Sequence, residues 1–190
     1  MFRERGLGAS HEAIAERAEV SVGTVYRRFP DREQLIDELF ESELQAVVDA
    51  AKEATAIDDP WEGLAHFLTT ALELAAANNG LRQLLTGSRH GAAKVELLRE
   101  RLAPLAGGLL LRAREAGVVR ADAEPQDVPL TILMVATLAD AGRGAAPEAW
   151  RRYLAILLDG LRADSSHREG LPATVSAAQM DRIIEASHER

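Results

Sequence analysis

Four side chains that lie close together in the sequence could bind nucleic acid: Thr24, Tyr26, Arg27 and Arg28. They supply a hydroxyl group, an aromatic ring and two guanidinium groups. Hydroxyl and guanidinium groups form hydrogen bonds with phosphates and with base edges in the major groove of DNA, and an aromatic ring makes apolar contacts there. We expect them on the water-facing side of a helix that covers residues 22–29 and whose other side is apolar.

Two short helices joined by a tight turn are predicted to position these groups. Ser10 is a good N-cap for the first helix and Ser21 for the second, because a serine oxygen accepts a hydrogen bond from an amide of the first turn. Residues 19–21 form the turn. Pro30 ends the second helix, since proline disfavours a helical conformation in the residue before it. The pair must cross closely, and the small Ala15 lies where the second helix approaches.

The string EAIAERAEVSVGTVYRRFPDREQL resembles the DNA-binding segment of the TetR family of repressors. The resemblance implies that Gly23 lets the backbone approach phosphates and that Arg32 lies at a common phosphate-binding position. One position departs from the pattern. Glu19 stands where the family often has glycine with a positive φ, a conformation that would cost glutamate about 1–2 kcal/mol. The expected DNA-binding residues are Ser10, Val22, Gly23, Thr24, Tyr26, Arg27, Arg28 and Arg32.

Composition predicts an all-α protein, and the resemblance implies a helix-turn-helix head on a larger helical body. The 190 residues are 47% apolar but only 4% aromatic, and no long Val/Ile/Thr-rich alternating run occurs. The chain has no cysteine, which excludes disulfides and thiolate metal sites. No apolar run approaches the roughly 18 residues of a membrane span, and the start lacks an apolar signal-peptide core. We therefore expect a cytoplasmic protein.

The net charge of −8 is distributed unevenly along the chain. Up to residue 34, six arginines balance six acidic residues, so the acidic excess belongs to the remainder. A neutral head beneath an acidic body predicts modest non-specific affinity for DNA, with specificity that depends on a few placed contacts.

The chain is expected to divide at residue 50, with a head and connecting helix in 1–50 and an effector-binding and dimerisation domain in 51–190. Asp31 opens the long amphipathic connecting helix, and Asp59 with Pro60 starts the next one. Pro104 is expected to kink a helix over 92–116 that Gly117 ends. Further helices are expected over residues 81–86, 125–142 and 147–163 and from 176 onwards.

The helices over 125–142 and 147–163 carry more apolar surface than one body can cover. This surplus predicts an isologous four-helix contact with a second copy of the chain. The expected interface residues are Leu130, Met134, Leu138, Trp150, Leu154, Leu157 and Leu161.

Family resemblance also implies an effector cavity among the helices between about 60 and 140. Polar residues inside apolar runs are the candidates for contacts with an unidentified small molecule, although each could equally be a core or surface residue. They are His66, Thr70, Gln83, Arg89, Thr131 and Thr137.

The sequence offers no catalytic or metal-binding pattern. The five histidines are scattered, no nucleotide or hydrolase signature occurs, and no cofactor is expected. The pairs Glu12/Glu16 and Asp37/Glu41 are typical of solvated helix faces. The chain is thus expected to be a homodimeric TetR-like repressor that leaves its operator when a small molecule binds, and an enzyme is the minor alternative.

A second alternative depends on the start of the chain. Residues 1–6 resemble the last turn of the helix that precedes the helix-turn-helix in the TetR family. Either the reading frame was assigned from an internal Met, which we expect, or the first helix is short. A short first helix would favour a dimerisation or sensor protein with an impaired DNA-binding head.

Overall fold

The structure, a computed structural model, describes residues 10–85, 92–163, 171, 175–176, 178–179 and 182–183. For residues 32–34, 36–37, 39–40, 84–85 and 92–99 it describes only the backbone. Over these ranges the chain forms eight helices and no strand, so the all-α prediction is confirmed. The expectations for residues 1–6 and for Arg89 lie outside the described residues.

The helices follow the predicted order. They are α1 His11–Arg17, α2 Val22–Arg28, α3 Arg32–Thr55, α4 Pro60–Ala77, α5 Asn79–Leu85, α6 Ala92–Glu115, α7 Asp127–Ala141 and α8 Ala149–Leu161.

Local capping chemistry explains where several helices begin and end. Asp59 accepts hydrogen bonds from the amides of Trp61 and Glu62, at 2.8 and 3.0 Å, with a proline in the first turn of α4. Gly117 follows α6 with a φ of 71°, a conformation that glycine adopts without strain. α6 itself continues through Pro104, whose position is exposed.

Helix α3 joins the head to the body and belongs to both. Its second half is buried in the body core through Leu44, Val47, Val48 and Ala51, and α3 packs on α4 and α6. The domain boundary expected at residue 50 therefore falls inside a continuous helix.

The body core is centred on α4, which contacts α3, α6, α7 and α8. Leu64, Phe67, Leu68 and Leu72 of α4 are buried in this core. Burial of a side chain of this size contributes about 1.5–3 kcal/mol to folding. A rigid body of this kind can carry an attached head at a defined position.

Arg112 of α6 secures the corner between α3 and α4. Its guanidinium donates hydrogen bonds to the carbonyl oxygens of Thr55, at 2.9 Å, and Ile57, at 2.7 Å. A cation at the C-terminal end of a helix is also favoured by the helix dipole. Gly63 is required here because a Cβ would lie 2.8 Å from the carbonyl oxygen of Ala54 and 2.9 Å from Arg112 Nη2. The far end of α3 is thus held at one place on the body.

None of the helices among the described residues combines the length and apolarity that a membrane span needs.

The turn between α1 and α2 has the backbone conformation that the family resemblance implies. Glu19 has a φ of 55°, and it is the one non-glycine residue with a positive φ among the residues described. We expect Glu19→Gly to raise the free energy of unfolding of the head by about 1 kcal/mol, because glycine adopts this conformation without steric cost. Urea denaturation or hydrogen exchange of the α1 and α2 amides would measure the change.

The matched control is Glu16→Gly, which introduces the same residue within α1. Since glycine is about 1 kcal/mol worse than most residues inside a helix, this variant should be destabilised. Equal destabilisation of the two variants would contradict a strained turn at Glu19.

Candidate nucleic-acid interface

Helix α2 is built to present one side to an external partner. The Ser21 hydroxyl oxygen accepts a hydrogen bond from the Thr24 amide at 3.1 Å and lies 2.8 Å from the Thr24 hydroxyl oxygen. Val25 is buried against the head, whereas Thr24, Tyr26 and Arg27 are exposed. The capped N-terminus and the turn before it thus fix which side of α2 faces outward.

Gly23 is not required by the packing of the chain itself. A Cβ at this position would meet only Ser21 Oγ, at 3.9 Å, and the φ of Gly23 is not positive. The glycine therefore leaves open space on the outer side of α2. A partner backbone could approach closely there.

The two arginines of α2 differ in their surroundings. Arg28 Nη2 lies 3.0 Å from Glu38 Oε2 of α3, and both side chains are largely exposed. The Arg28 guanidinium also lies 5.1 Å from the centre of the Phe29 ring. Arg27 is exposed. An exposed ion pair of this type contributes at most about 1 kcal/mol, so a phosphate could replace Glu38 as the partner of Arg28.

Ser10, Val22 and Arg32 complete the predicted set. Ser10 caps α1 by accepting a hydrogen bond from the Ala13 amide at 3.3 Å, and Val22 is exposed in the first turn of α2. Two hydrogen bonds lower the pKa of the Glu12 carboxyl. The larger effect comes from its own backbone and the smaller from the Ser10 side chain. Arg32 is the first residue of α3, and the structure describes only its backbone.

His11 is a residue of this region that the sequence analysis missed. Its ring is buried and stacks on Tyr26, with 4.5 Å between ring centres and 12° between ring planes. The spacing indicates that His11 is buried, because it lies four residues before the buried Ala15 and therefore on the same side of α1.

The effector candidates that the structure describes differ in their exposure. His66 and Thr137 are exposed, and the Thr137 hydroxyl donates to the carbonyl oxygen of Leu133 in its own helix at 2.8 Å. These two residues therefore do not line an internal cavity, contrary to the prediction. Thr131 is buried, while Thr70 and Gln83 are half-buried.

A buried cation that the sequence analysis also missed lies beside Gln83. Arg82 Nη2 pairs with Asp140 Oδ1 of α7 at 2.8 Å. Burial of the Arg82 guanidinium lowers its pKa, and the nearby Asp140 partly offsets this effect.

A surface groove of about 480 Å³ lies where α4 and α7 end and α8 begins. Arg151 on its wall donates to Glu73 Oε1 at 2.7 Å and to Glu148 Oε2 at 2.6 Å, and these carboxylates raise the pKa of Arg151. None of the effector candidates that the structure describes lines this groove.

Helices α7 and α8 expose a set of apolar residues that overlaps only partly with the predicted one. Trp150 and Leu154 are 2% and 3% exposed in the core of their own chain, so they are not available to a second copy. Met134, which belongs to the predicted set, is 54% exposed, and Tyr153 and Ile156, which do not, are 49% and 52% exposed. The other residues assigned to this surface are half-buried, namely Leu130, Leu138, Leu157 and Leu161.

No group of three or more side chains suited to a metal ion occurs among the described residues.

Two family profiles match the sequence. Residues 1–39 match the profile of bacterial regulatory proteins of the tetR family, and residues 59–163 match the C-terminal domain of SbtR-like transcriptional regulators. Among curated proteins, the HTH-type transcriptional regulator LuxR from Vibrio harveyi is 52% identical over 40 residues. That match covers 20% of each protein, so the chain spans about a fifth of the length of this relative.

Solved structures resemble almost the whole chain. The TetR transcriptional regulator SCO0520 from Streptomyces coelicolor is 29% identical, with a TM-score of 0.60 over 86% of this chain and 93% of its own. The TetR transcription regulatory protein from Mycobacterium vanbaalenii is 30% identical, with a TM-score of 0.54 over 85% and 87%. FadR from Bacillus subtilis in complex with stearoyl-CoA shares the fold, at 18% identity and a TM-score of 0.63 over 84% and 93%.

Proposed function

The chain belongs to the TetR family of bacterial transcriptional regulators, and on this premise we propose that it binds operator DNA as a homodimer and is released by a small-molecule effector. The observation that carries the proposal is the outer side of α2. Thr24, Tyr26 and Arg27 are exposed there on a helix whose start is capped and whose opposite side is buried. Such a helix can enter a major groove and offer hydrogen bonds to phosphates and bases.

Homodimer formation is supported by the apolar surface of α7 and α8. Met134, Tyr153 and Ile156 lie on two helices that pack against each other, and each exposes about half of its side chain. Clustered exposed apolar residues mark interaction sites, and a twofold contact would pair the two helices with their copies. The proposed interface therefore consists of these three residues together with Leu130, Leu138, Leu157 and Leu161.

An effector could act on the head through α3. One end of α3 lies beside the recognition helix, where Glu38 is within 3.0 Å of Arg28, and its other end is held by Arg112. A ligand shifts such an arrangement only by the difference in its affinity for the two forms. FadR from Bacillus subtilis, which shares this fold, is known in complex with stearoyl-CoA, which supports an organic effector for this chain. Thr70, Gln83 and Thr131 remain the candidate contacts.

The test is a gel-shift titration with the DNA upstream of the protein's own gene. We expect Tyr26→Ala and Arg28→Ala each to weaken binding by about tenfold, because each removes a contact worth about 1–3 kcal/mol. Thr24→Ala should change the preferred sequence more than the overall affinity. The logarithm of the affinity falls linearly with the logarithm of the salt concentration. For the Arg28 variant this slope should be shallower by about one unit, as expected for the loss of one phosphate contact.

Lys52→Ala is the matched control, since it removes one exposed positive charge from the body end of α3. It should leave binding unchanged. Unaltered gel shifts for all three head variants would refute DNA binding by α2. A wild-type protein that dimerises but shifts no DNA would favour the alternative of a dimerisation or sensor protein with an impaired head.

A further inference from the structure

His11 is an unusual residue for the place it occupies in the head. Its side chain is only 8% exposed although imidazole is polar. Its Nε2 atom lies 3.2 Å from the carbonyl oxygen of Phe29, eighteen residues further along the chain. A carbonyl oxygen can only accept a hydrogen bond, so Nε2 carries the hydrogen and donates it. This contact links the first turn of α1 to the end of α2.

The same ring also supports the exposed aromatic residue of α2. His11 and Tyr26 stack with their ring centres 4.5 Å apart and their planes inclined by 12°. Tyr26 remains 46% exposed, so one face of its ring rests on His11 while much of the side chain is open to a partner. Burial and the hydrogen bond to Phe29 together restrict the imidazole ring, and the stack in turn restricts the phenol ring.

We infer that His11 is a positioning residue of the DNA interface, which acts through Tyr26 without touching DNA. This inference rests on the proposed function. An exposed tyrosine on a short helix has freedom about its side-chain torsions, and that freedom is lost when DNA binds. A ring that holds Tyr26 in place beforehand reduces this cost and so strengthens binding. An aliphatic residue at position 11 would fill the space but would offer no flat surface for stacking.

A double-mutant cycle tests whether His11 acts through Tyr26. The probe is the tightest duplex that the wild-type protein selects from a randomised pool. His11→Ala should weaken binding by about tenfold, a coupling of ordinary size for residues in contact. In the Tyr26→Ala background, the same substitution should cost less than about twofold. Fully additive losses would overturn the inference, because a residue that only stabilises the fold would weaken both backgrounds equally.

Two conservative variants separate stacking from simple packing. His11→Phe retains an aromatic ring and should keep affinity within about threefold of the wild type, since aromatic stacking is worth about 0.5–1.5 kcal/mol. His11→Leu fills a similar volume without a ring and should bind as weakly as His11→Ala. Equal affinities for the Phe and Leu variants would overturn the role of the stack.

Fluorine NMR examines the same contact without DNA. The chain has two tyrosines, so incorporation of fluorotyrosine gives two resonances, which Tyr153→Phe assigns. His11→Ala should shift the Tyr26 resonance and leave that of Tyr153 unchanged. An unmoved Tyr26 resonance would overturn the inference while leaving the proposed function intact. If the wild-type protein selects no duplex from the pool, the proposed function fails and the inference fails with it.

Discussion

Ile156→Glu should leave each protomer folded but convert the proposed dimer into monomers. Ile156 is exposed on α8, so a carboxylate there is solvated in the isolated chain. In the dimer the same carboxylate would be buried without a partner, at a cost of about 3–5 kcal/mol, which corresponds to a roughly 10²–10⁴-fold weaker association. Sedimentation velocity at several protein concentrations would measure the shift from dimer to monomer.

Loss of the dimer should also abolish high-affinity DNA binding, although the head is untouched. Two recognition helices must reach major-groove faces about 34–36 Å apart, and only a rigid twofold contact holds them at that spacing. A monomer keeps one weak half-site contact. The gel shift with the upstream DNA should therefore disappear at protein concentrations that shift it for the wild type.

Ala155→Glu is the matched control for this experiment, because the neighbouring residue is exposed on a different side of α8. It adds the same charge and should remain dimeric. A stable Ile156→Glu dimer that still binds DNA would show that the interface lies on other helices. A charge at Leu154 would be a poor test, because that side chain belongs to the core of its own protomer and the variant would unfold.

Gly23→Ala should have opposite effects on stability and on DNA binding. A Cβ at this position has room within the chain, and alanine favours helix more than glycine does, so the head should gain up to about 1 kcal/mol of stability. If DNA backbone approaches α2 at Gly23, the added methyl group collides with it. We expect affinity for the upstream DNA to fall by at least about tenfold, the loss typical of one direct contact.

Gly108→Ala provides the control for this prediction. Gly108 is an exposed residue of α6, and a Cβ there would meet nothing within 4 Å. The substitution should raise stability by a similar amount and leave DNA affinity unchanged. Thermal unfolding and a titration with the same duplex measure both quantities. Undiminished DNA binding by Gly23→Ala would mean that the glycine is not needed for close approach.

Local chemistry was sufficient to predict the head and the order of the helices from the sequence. The caps at Ser21 and Asp59 and the Gly117 that ends α6 were all found as expected. Each depends on residues that are near neighbours in the chain. A hydroxyl or carboxylate oxygen reaches an amide two or three residues away in almost any context, so the pattern of residue types is enough.

The tertiary structure decided which residues of each apolar pattern face inward. Leu154 and Ile156 both lie on α8, yet one is in the core and the other faces outward, because α4 and α7 pack on only one side of α8. Periodicity shows that a helix has an apolar side but not whether its own core or a second chain covers it. His11 acquires its surroundings in the same way, since Tyr26 and Phe29 reach it only when α1 and α2 cross. Contacts between residues distant in sequence depend on how the helices pack, and that packing is absent from any local pattern of residue types.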